Sequence, residues 1–211
     1  MTRLYRLDRS ATAIARHFGA HAGADPWTRG YVAPGRFAPV VTAGREFVAG
    51  PAPGRGTRRL VPRLWGVPPP PSASDPARAI LTVRNTDSPF WIGNLRNTEF
   101  RCLVPATAFV EWSDAIDVEG RRLRRRYTLA EQDLFAFAGV WKDAEVPGFA
   151  ILTCSANATL RREGRDTMPV ILPPGRDAQE CWLHGGWAEA KTLVKACPDG
   201  VLRRDGPHDA D

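Results

Sequence analysis

Residues 100–112, FRCLVPATAFVEW, contain one carboxylate, Glu111, among apolar and aromatic residues. This environment favours a chemical role for the carboxylate over a role in keeping the surface soluble. Residues 101–104 predict a short strand closed by Pro105, and residues 108–112 predict a second strand. The two-residue period of a strand puts Phe109 and Glu111 on one face. A carboxylate that shares a strand face with a phenylalanine is a candidate proton donor or acceptor. The alternative is a rim glutamate paired with an arginine, and the spacing leaves both open.

The four cysteines do not form a recognisable metal or disulfide pattern. No C-x-x-C spacing relates Cys102, Cys154, Cys181 and Cys197, which argues against a zinc ribbon and a disulfide scaffold. We expect Cys102 and Cys154 to be buried, inert thiols, because both lie in strand-like runs. We therefore predict no metal and no cofactor.

The basic charge of the chain is carried almost entirely by arginine. The net charge is +6 and the pI is about 9.6, and the lysines are Lys142, Lys191 and Lys195. Arginine suits bidentate contact with phosphate, so an acidic polymer is a candidate partner, although a GC-rich genome would also favour arginine codons. Residues 121–126 contain five arginines, which predict a solvated hairpin tip or, less simply, a nucleic-acid patch.

The 211 residues suffice for one sizeable domain or two small ones, with ample chain for a core. We predict a domain over residues 1–200 and a polar tail over residues 201–211. No apolar run is long enough to span a membrane, and the N-terminus lacks the apolar centre of a signal peptide. These features predict a cytoplasmic protein that does not contact membranes, and we expect a monomer.

The elements that must position Glu111 are short strands with a few short helices. Strands are predicted at residues 4–7, 46–49, 80–84, 134–141, 149–154 and 168–172. Helices are predicted at residues 11–18 with Asp8 or Ser10 as the cap, from Ser88 to Leu95, and in the pieces 157–162, 178–183 and 187–194. This pattern predicts the α+β class, as a single domain of curled, mostly antiparallel β-sheet.

A succession of motifs runs along most of the chain, namely LWG, an arginine-ending strand, RCLVPATAFVEW, LFAFAGVW, FAILTCSANA, MPVIL and a Trp-Leu helix. This order resembles the SOS response-associated peptidase (SRAP) family of abasic-site processing proteins. The resemblance runs from Tyr5 to about Gly200 and implies a sensor of abasic sites in single-stranded DNA during the DNA damage response. It implies an N-terminal cysteine that closes a thiazolidine with the sugar aldehyde, assisted by a glutamate, an asparagine and a histidine. The resulting link joins protein and DNA covalently.

Several positions match the family pattern residue by residue. Glu111 stands at the glutamate position and Arg84 at the arginine of an Asn-x-Arg strand. Trp65 matches the Trp-Gly tryptophan, which the resemblance makes a residue that stacks on or wedges beside a base. Pro34 lies in the extended segment bordering the site, and Arg3 with Arg84 is expected to contact phosphates. Arg165 is also expected to be a DNA-binding residue.

Three positions depart from the pattern. The cysteine position holds Thr2 and the asparagine position holds Thr82. The histidine position falls at Gly164 or Arg165, and neither residue transfers protons as histidine does. If Met1 is removed, the Thr2 α-amine, with a pKa of about 8, can still form a Schiff base with an aldehyde. Its hydroxyl is a far weaker nucleophile than a thiol.

Three hypotheses follow from this mixture of matches and departures. The first is a protein that binds abasic single-stranded DNA with weakened or altered aldehyde chemistry, including a lyase-type β-elimination. The second is a non-catalytic paralogue that binds DNA or another partner through an eroded site. The third is a peptidase that uses Thr2 as an N-terminal nucleophile. Whether the chain is an enzyme is left open by its residues.

Overall fold

A computed structural model describes residues 2–23, 25–44, 57–116 and 118–204. The strands are β1 Leu4–Leu7, β2 Gly30–Val32, β3 Phe37–Thr42, β4 Arg59–Trp65, β5 Thr82–Val83, β6 Arg101–Ala106, β7 Ala108–Ile116, β8 Arg122–Leu129, β9 Phe135–Lys142, β10 Gly148–Ser155, β11 Thr167–Pro169 and β12 Leu202–Arg204. The strands β9 and β10 form where β-branched and aromatic residues are concentrated, whereas β8 and β12 are rich in arginine.

The helices are short. They are α1 Ala11–Phe18, α2 Pro89–Arg96, α3 Ala158–Arg161, α4 Arg176–His184 and α5 Trp187–Ala190, with 3-10 turns at Lys191–Leu193 and Asp199–Val201. Helices α1, α2 and α3 begin after residues whose side chains cap them. The Ser10 hydroxyl accepts a hydrogen bond from the Ala13 amide. The Ser88 hydroxyl accepts one from the Phe90 amide, and Pro89 stands at the first helical position. The predicted α1 is confirmed to the residue.

Two sheets make up the described part of the fold. The first has five strands in the order β12-β8-β7-β1-β2. The second has the order β11-β10-β4-β3-β6-β9, with β5 beside β10. Because β9 also pairs with β10, strands β10, β4, β3, β6 and β9 close on themselves. The pairings of β10 with β4 and with β5 are parallel, and the other strand pairings are antiparallel. The predicted α+β class with curled, mostly antiparallel sheet is confirmed.

Aromatic side chains fill the core between the two sheets. From the five-stranded sheet, Tyr5 and Phe109 point inward and are fully buried. The Tyr5 ring lies 5.2 Å from Trp65 and 5.9 Å from Phe137. Phe109 lies 6.0 Å from Phe137. The inward face of β7 is therefore fixed by packing, which also fixes the direction of Glu111 on the same face.

The structure corrects several strand boundaries. Pro105 does not close β6 but lies inside it, opposite Ala136. It is tolerated because β3 pairs with β6 at Leu103 and Cys102, so Pro105 lies beyond that ladder and no bond to β3 is lost. The predicted strand at residues 80–84 is reduced to β5. The predicted strand at 46–49 lies outside the described residues.

The arginine-rich segment 121–126 is another correction. We predicted a solvated hairpin tip, with a nucleic-acid patch as the alternative. Most of the segment instead belongs to β8, which pairs with β7 on one side and β12 on the other, and the alternative stays a prediction. The strand β12 also lies past the predicted domain boundary at residue 200. In the described ranges, no helix is long and apolar enough to cross a membrane.

Candidate functional site

The candidate site lies where the start of the chain meets β7. Thr2 stands just before β1, and β1 pairs with β7 so that Leu4 lies opposite Val110. The Thr2 hydroxyl donates a hydrogen bond to Oε1 of Glu111. The two residues are only 2% and 1% exposed. A hydroxyl and a carboxylate more than one hundred residues apart in sequence thus form one buried pair.

A guanidinium completes the cluster from the opposite side. Nε of Arg165 lies 3.5 Å from Oε2 of Glu111, and the Arg165 side chain is largely buried. The resemblance left Gly164 or Arg165 as the position of the family histidine. Of these two residues, Arg165 is the one that lies against the Glu111 carboxylate. Arginine stays charged at every pH relevant to a protein and cannot transfer a proton. It therefore supplies a fixed positive charge beside Glu111.

The loop that carries Arg165 is fastened to β7 by Glu163. The Glu163 carboxylate accepts hydrogen bonds from Ser113 Oγ at 2.7 Å and from Arg204 Nη1 at 2.8 Å. Its backbone carbonyl accepts one from the Asp114 amide at 3.2 Å. Burial opposes the Glu163 charge, but these donors and the Arg125 charge hold its pKa below the usual range. This anchor fixes where Arg165 can reach.

Gly164 is required for this loop. Its φ is +75°, and a Cβ there would overlap the Asp114 carboxylate. We expect Gly164→Ala to lower the free energy of unfolding by about 1–2 kcal/mol, because it adds a clash to the cost of a left-handed backbone. Gly120→Ala is the matched control, since Gly120 has a φ of +77° with open space around its Cβ position. Urea denaturation should show a larger loss for Gly164→Ala, and equal losses would contradict a role for the close approach.

Burial is the main influence on the pKa of the Glu111 carboxyl. It raises the pKa above the usual value, while the Thr2 hydrogen bond and the Arg165 charge act in the opposite direction. A carboxyl with a raised pKa holds its proton closer to neutral pH than a surface glutamate. It is thereby better suited to exchange a proton with a substrate at physiological pH.

This raised pKa predicts a pH dependence of stability. The folded protein binds the Glu111 proton more tightly than the unfolded chain, so the stabilisation is complete below the unfolded pKa and is lost as pH rises through the folded pKa. A tenfold difference in proton affinity between the two states is equivalent to about 1.4 kcal/mol. We expect the unfolding free energy of the wild type, measured relative to Glu111→Gln, to fall between about pH 4 and neutral pH. A difference that stays constant across this range would contradict the prediction.

Tyr127 lies at the inner edge of the same cluster. Its hydroxyl is buried, and no described residue forms a hydrogen bond with it. Burial, followed by the charge of Glu163, raises the pKa of Tyr127 to about 12. The phenol therefore stays protonated at physiological pH and is available there only as a neutral donor or acceptor.

Trp65 is a correction to the predicted site. We expected its ring to stack on or wedge beside a base, but Trp65 is 0% exposed. Its Nε1 donates to the Leu81 carbonyl at 3.1 Å, and its ring lies parallel to Phe149 at 6.3 Å. A fully packed indole has no free face for a base, so Trp65 belongs to the core.

The other residues predicted for the site differ in their exposure. Arg3 is exposed beside Thr2, and Arg84 is exposed just after β5. Pro34 is exposed in the turn after β2, and β2 pairs with β1 so that Val32 lies opposite Tyr5. Thr82 is half-buried, and its backbone pairs with Ile151 of β10. The structure thus puts Thr2 and Arg165 against the Glu111 carboxylate. The charged side chains of Arg3 and Arg84 are exposed.

Sequence reasoning missed the residues that support this cluster. Ser113 shares the face of Glu111 two positions further along β7, so strand alternation was a usable signal for it. Glu163 and Arg125 carry ordinary surface residue types, and their separation by 3.6 Å depends on tertiary structure. No local pattern marks such a pair.

Comparison with known proteins gives a consistent family assignment. The model of the family described as SOS response associated peptidase (SRAP) matches residues 1–204. The abasic site processing protein YoqW of Bacillus subtilis is 34% identical over 89 residues, which cover 40% of this chain and 38% of YoqW. The abasic site processing protein YoaM of the same organism is 34% identical over 89 residues, which cover 37% of YoaM. The aligned segment thus spans well under half of either relative.

Solved structures share the fold over nearly the whole chain. A protein from Bordetella bronchiseptica superimposes with a TM-score of 0.74 at 18% identity, covering 96% of this chain and 97% of its own. A protein from Bacteroides thetaiotaomicron gives a TM-score of 0.73 at 18% identity, covering 95% and 90%. At this identity the likeness concerns the fold alone.

Proposed function

The chain belongs to the SOS response-associated peptidase family, and from this premise we propose that it binds single-stranded DNA at abasic sites in the DNA damage response. Its covalent chemistry with the sugar aldehyde is weakened, because Thr2 stands where the family pattern has a cysteine. The names of its relatives YoqW and YoaM as abasic site processing proteins support the substrate class.

The single observation that carries the proposal is the contact of Thr2 with Glu111, with Arg165 3.5 Å from the same carboxylate. A nucleophile, a carboxyl with a raised pKa and a fixed cation are the groups that an aldehyde bearing a phosphate requires. Arg3 and Arg84, both exposed, are the surface cations that we assign to the phosphates. Binding that depends on phosphates falls steeply as salt increases.

The reaction open to these residues begins at the α-amine of Thr2, once Met1 has been removed. The neutral amine nitrogen attacks the carbonyl carbon of the ring-opened sugar, the carbonyl π electrons move to oxygen, and the nitrogen loses one proton as the oxygen gains one, which gives a carbinolamine. Glu111 can donate the next proton, so that the hydroxyl leaves as water and a Schiff base remains. Attack by the Thr2 hydroxyl on the imine carbon would close an oxazolidine, which we expect to hydrolyse readily.

Borohydride trapping tests this proposal directly. Hydride reduces a Schiff base to a stable amine, so the wild type incubated with abasic single-stranded DNA and borohydride should migrate with the DNA on a denaturing gel. The same oligonucleotide without an abasic site is the control and should give no trapped band. Intact-mass measurement in parallel reports whether the first residue is Met1 or Thr2. A protein that begins at Thr2 and yields no trapped band would contradict the aldehyde chemistry.

The burial of the pair favours a second candidate, a reader that binds DNA without reacting. The Thr2 hydroxyl already donates to Glu111, and both residues are sealed from solvent. Such a protein would bind the abasic strand with the same salt dependence but would give no trapped band. The third hypothesis, a threonine peptidase, uses the same nucleophile, and hydrolysis of peptide substrates that is lost in Thr2→Ala would distinguish it.

A further inference from the structure

The face of the five-stranded sheet that points away from the core carries an unusual set of side chains. We call it the outer sheet face. It is defined by Arg6, Tyr31, Val110, Trp112, Arg124, Arg126 and Arg203. Strand pairing puts these residues on one side, because directly opposed residues of antiparallel strands share a face. The register pairs Arg6 with Tyr31, Val110 with Arg126, and Trp112 with Arg124.

The outer sheet face is the opposite side of β7 from Glu111. Side chains alternate along a strand, so Phe109 and Glu111 point to the core while Val110 and Trp112 point outward. Trp112 is 38% exposed and Glu111 is 1% exposed, whereas Val110 is covered by its neighbours and is only 6% exposed. The outer sheet face is therefore separate from the site formed by Thr2, Glu111 and Arg165.

Two aromatic rings on this face lie under arginine side chains. Cζ of Arg124 lies 4.8 Å from the centre of the Trp112 ring, and Cζ of Arg6 lies 5.4 Å from the centre of the Tyr31 ring. Tyr31 is 45% exposed. Exposed tryptophan and tyrosine side chains offer flat π surfaces to bases, and a guanidinium plane can stack in the same way.

The charge of the outer sheet face is strongly positive. Arg124, Arg126 and Arg203 follow one another across β8 and β12, with Arg203 opposite Thr128. Among acidic groups near this face, Asp8 pairs with Arg6 at 3.0 Å. Asp114 lies 3.8 Å from Arg122, near the end of the β7–β8 pairing. The exposed Arg124 and Arg203, next to exposed aromatic rings, complement phosphates alternating with planar bases.

We infer that the outer sheet face binds a single strand of nucleic acid, in addition to the site at Thr2. The inference rests on the proposed function for the choice of DNA as ligand, but it adds a second surface for undamaged nucleotides that flank the lesion. Five strands at a spacing of about 4.8 Å span about 19 Å. Single-strand-binding domains of similar strand number occupy about 4–16 nucleotides.

The test compares two double variants with the same change in net charge. Arg124→Glu with Arg203→Glu reverses two charges on the outer sheet face. Arg78→Glu with Arg96→Glu reverses two exposed charges elsewhere. Binding of an undamaged single strand of about 20 nucleotides is measured by fluorescence anisotropy between about 50 and 200 mM salt.

We expect the outer-face variant to lose at least tenfold in affinity and the control variant less than threefold. The slope of log affinity against log salt should become shallower by about 1.4 for two lost phosphate contacts. Arg124→Lys with Arg203→Lys keeps both charges and should retain most of the affinity, which separates charge from misfolding. Equal losses in the two charge-reversed variants, or no loss in either, would overturn the inference.

A separate measurement keeps this inference distinct from the proposed function. Borohydride trapping of a very short abasic oligonucleotide, about 4 nucleotides long, reports the Thr2 site alone, and the outer-face variant should be trapped as well as the wild type. Absence of trapping in every protein would count against the aldehyde chemistry and leave the affinity comparison unaffected. Loss of trapping only in the outer-face variant would overturn the separation of the two surfaces.

Discussion

Replacement of Thr2 by cysteine is expected to convert the protein into an efficient covalent trap for abasic single-stranded DNA. The Thr2 hydroxyl is bonded to Glu111, so a thiol at this position would lie beside the same carboxyl and the same Arg165 charge. A thiol has a pKa of about 8.5 and is a far better nucleophile than a hydroxyl at neutral pH. Attack of sulfur on the imine carbon closes a thiazolidine, which resists hydrolysis better than the oxazolidine available to threonine.

The expected size of this effect is large. Heat-stable adduct on a denaturing gel, without borohydride, should increase on the order of 100-fold over the wild type, because reaction through sulfur replaces reaction through oxygen. Thr2→Ser is the matched control, since it keeps a hydroxyl of similar size and should behave like the wild type. Intact mass must show removal of Met1 in all three proteins.

The outcome also bears on the other departures from the family pattern. If Thr2→Cys gives no more heat-stable adduct than Thr2→Ser, the nucleophile is not what limits the reaction. The limit would then lie in proton transfer, because Arg165 stands against Glu111 where a histidine is expected and cannot relay a proton. That result would favour the reader hypothesis over weakened chemistry.

The sequence was sufficient to predict features that depend on residues close together along the chain. Ser10 and Ser88 marked helix starts because a hydroxyl before an amphipathic run satisfies free amides. Strand alternation predicted that Phe109 and Glu111 share a face, and both are buried. Cys102 is buried as expected, whereas Cys154 is only half-buried. Burial nevertheless raises the pKa of the Cys154 thiol to about 11, so it stays protonated at neutral pH.

Features that depend on distant packing were not predictable. Trp65 is buried because its ring packs against Tyr5 and Phe149, which come from two other strands. The contact of Arg165 with Glu111 depends on Glu163 anchoring its loop to β7 through Ser113. The residue types at these positions are equally common on open surfaces, so no local pattern distinguishes them from solvated charges.

The core position of Trp65 predicts a large loss of stability for Trp65→Ala. The indole is fully buried between Tyr5 and Phe149 and donates a hydrogen bond to Leu81. Removal of a packed tryptophan costs about 3–5 kcal/mol from lost burial and the cavity that remains. Total stabilities of domains are about 5–15 kcal/mol, so the variant should be close to unfolding. Urea denaturation followed by circular dichroism measures the loss.

The same substitution at Trp112 is the matched control. Trp112 is partly exposed on the outer sheet face, so Trp112→Ala should cost less than about 1 kcal/mol. The two variants should therefore give opposite results in the stability and DNA-binding assays. Trp65→Ala should lose stability, and DNA affinity only through unfolding, whereas Trp112→Ala should lose affinity while staying folded. A stable Trp65→Ala protein with selectively weakened DNA binding would restore the base-stacking role, because only an indole that leaves the core to meet the strand could give that result.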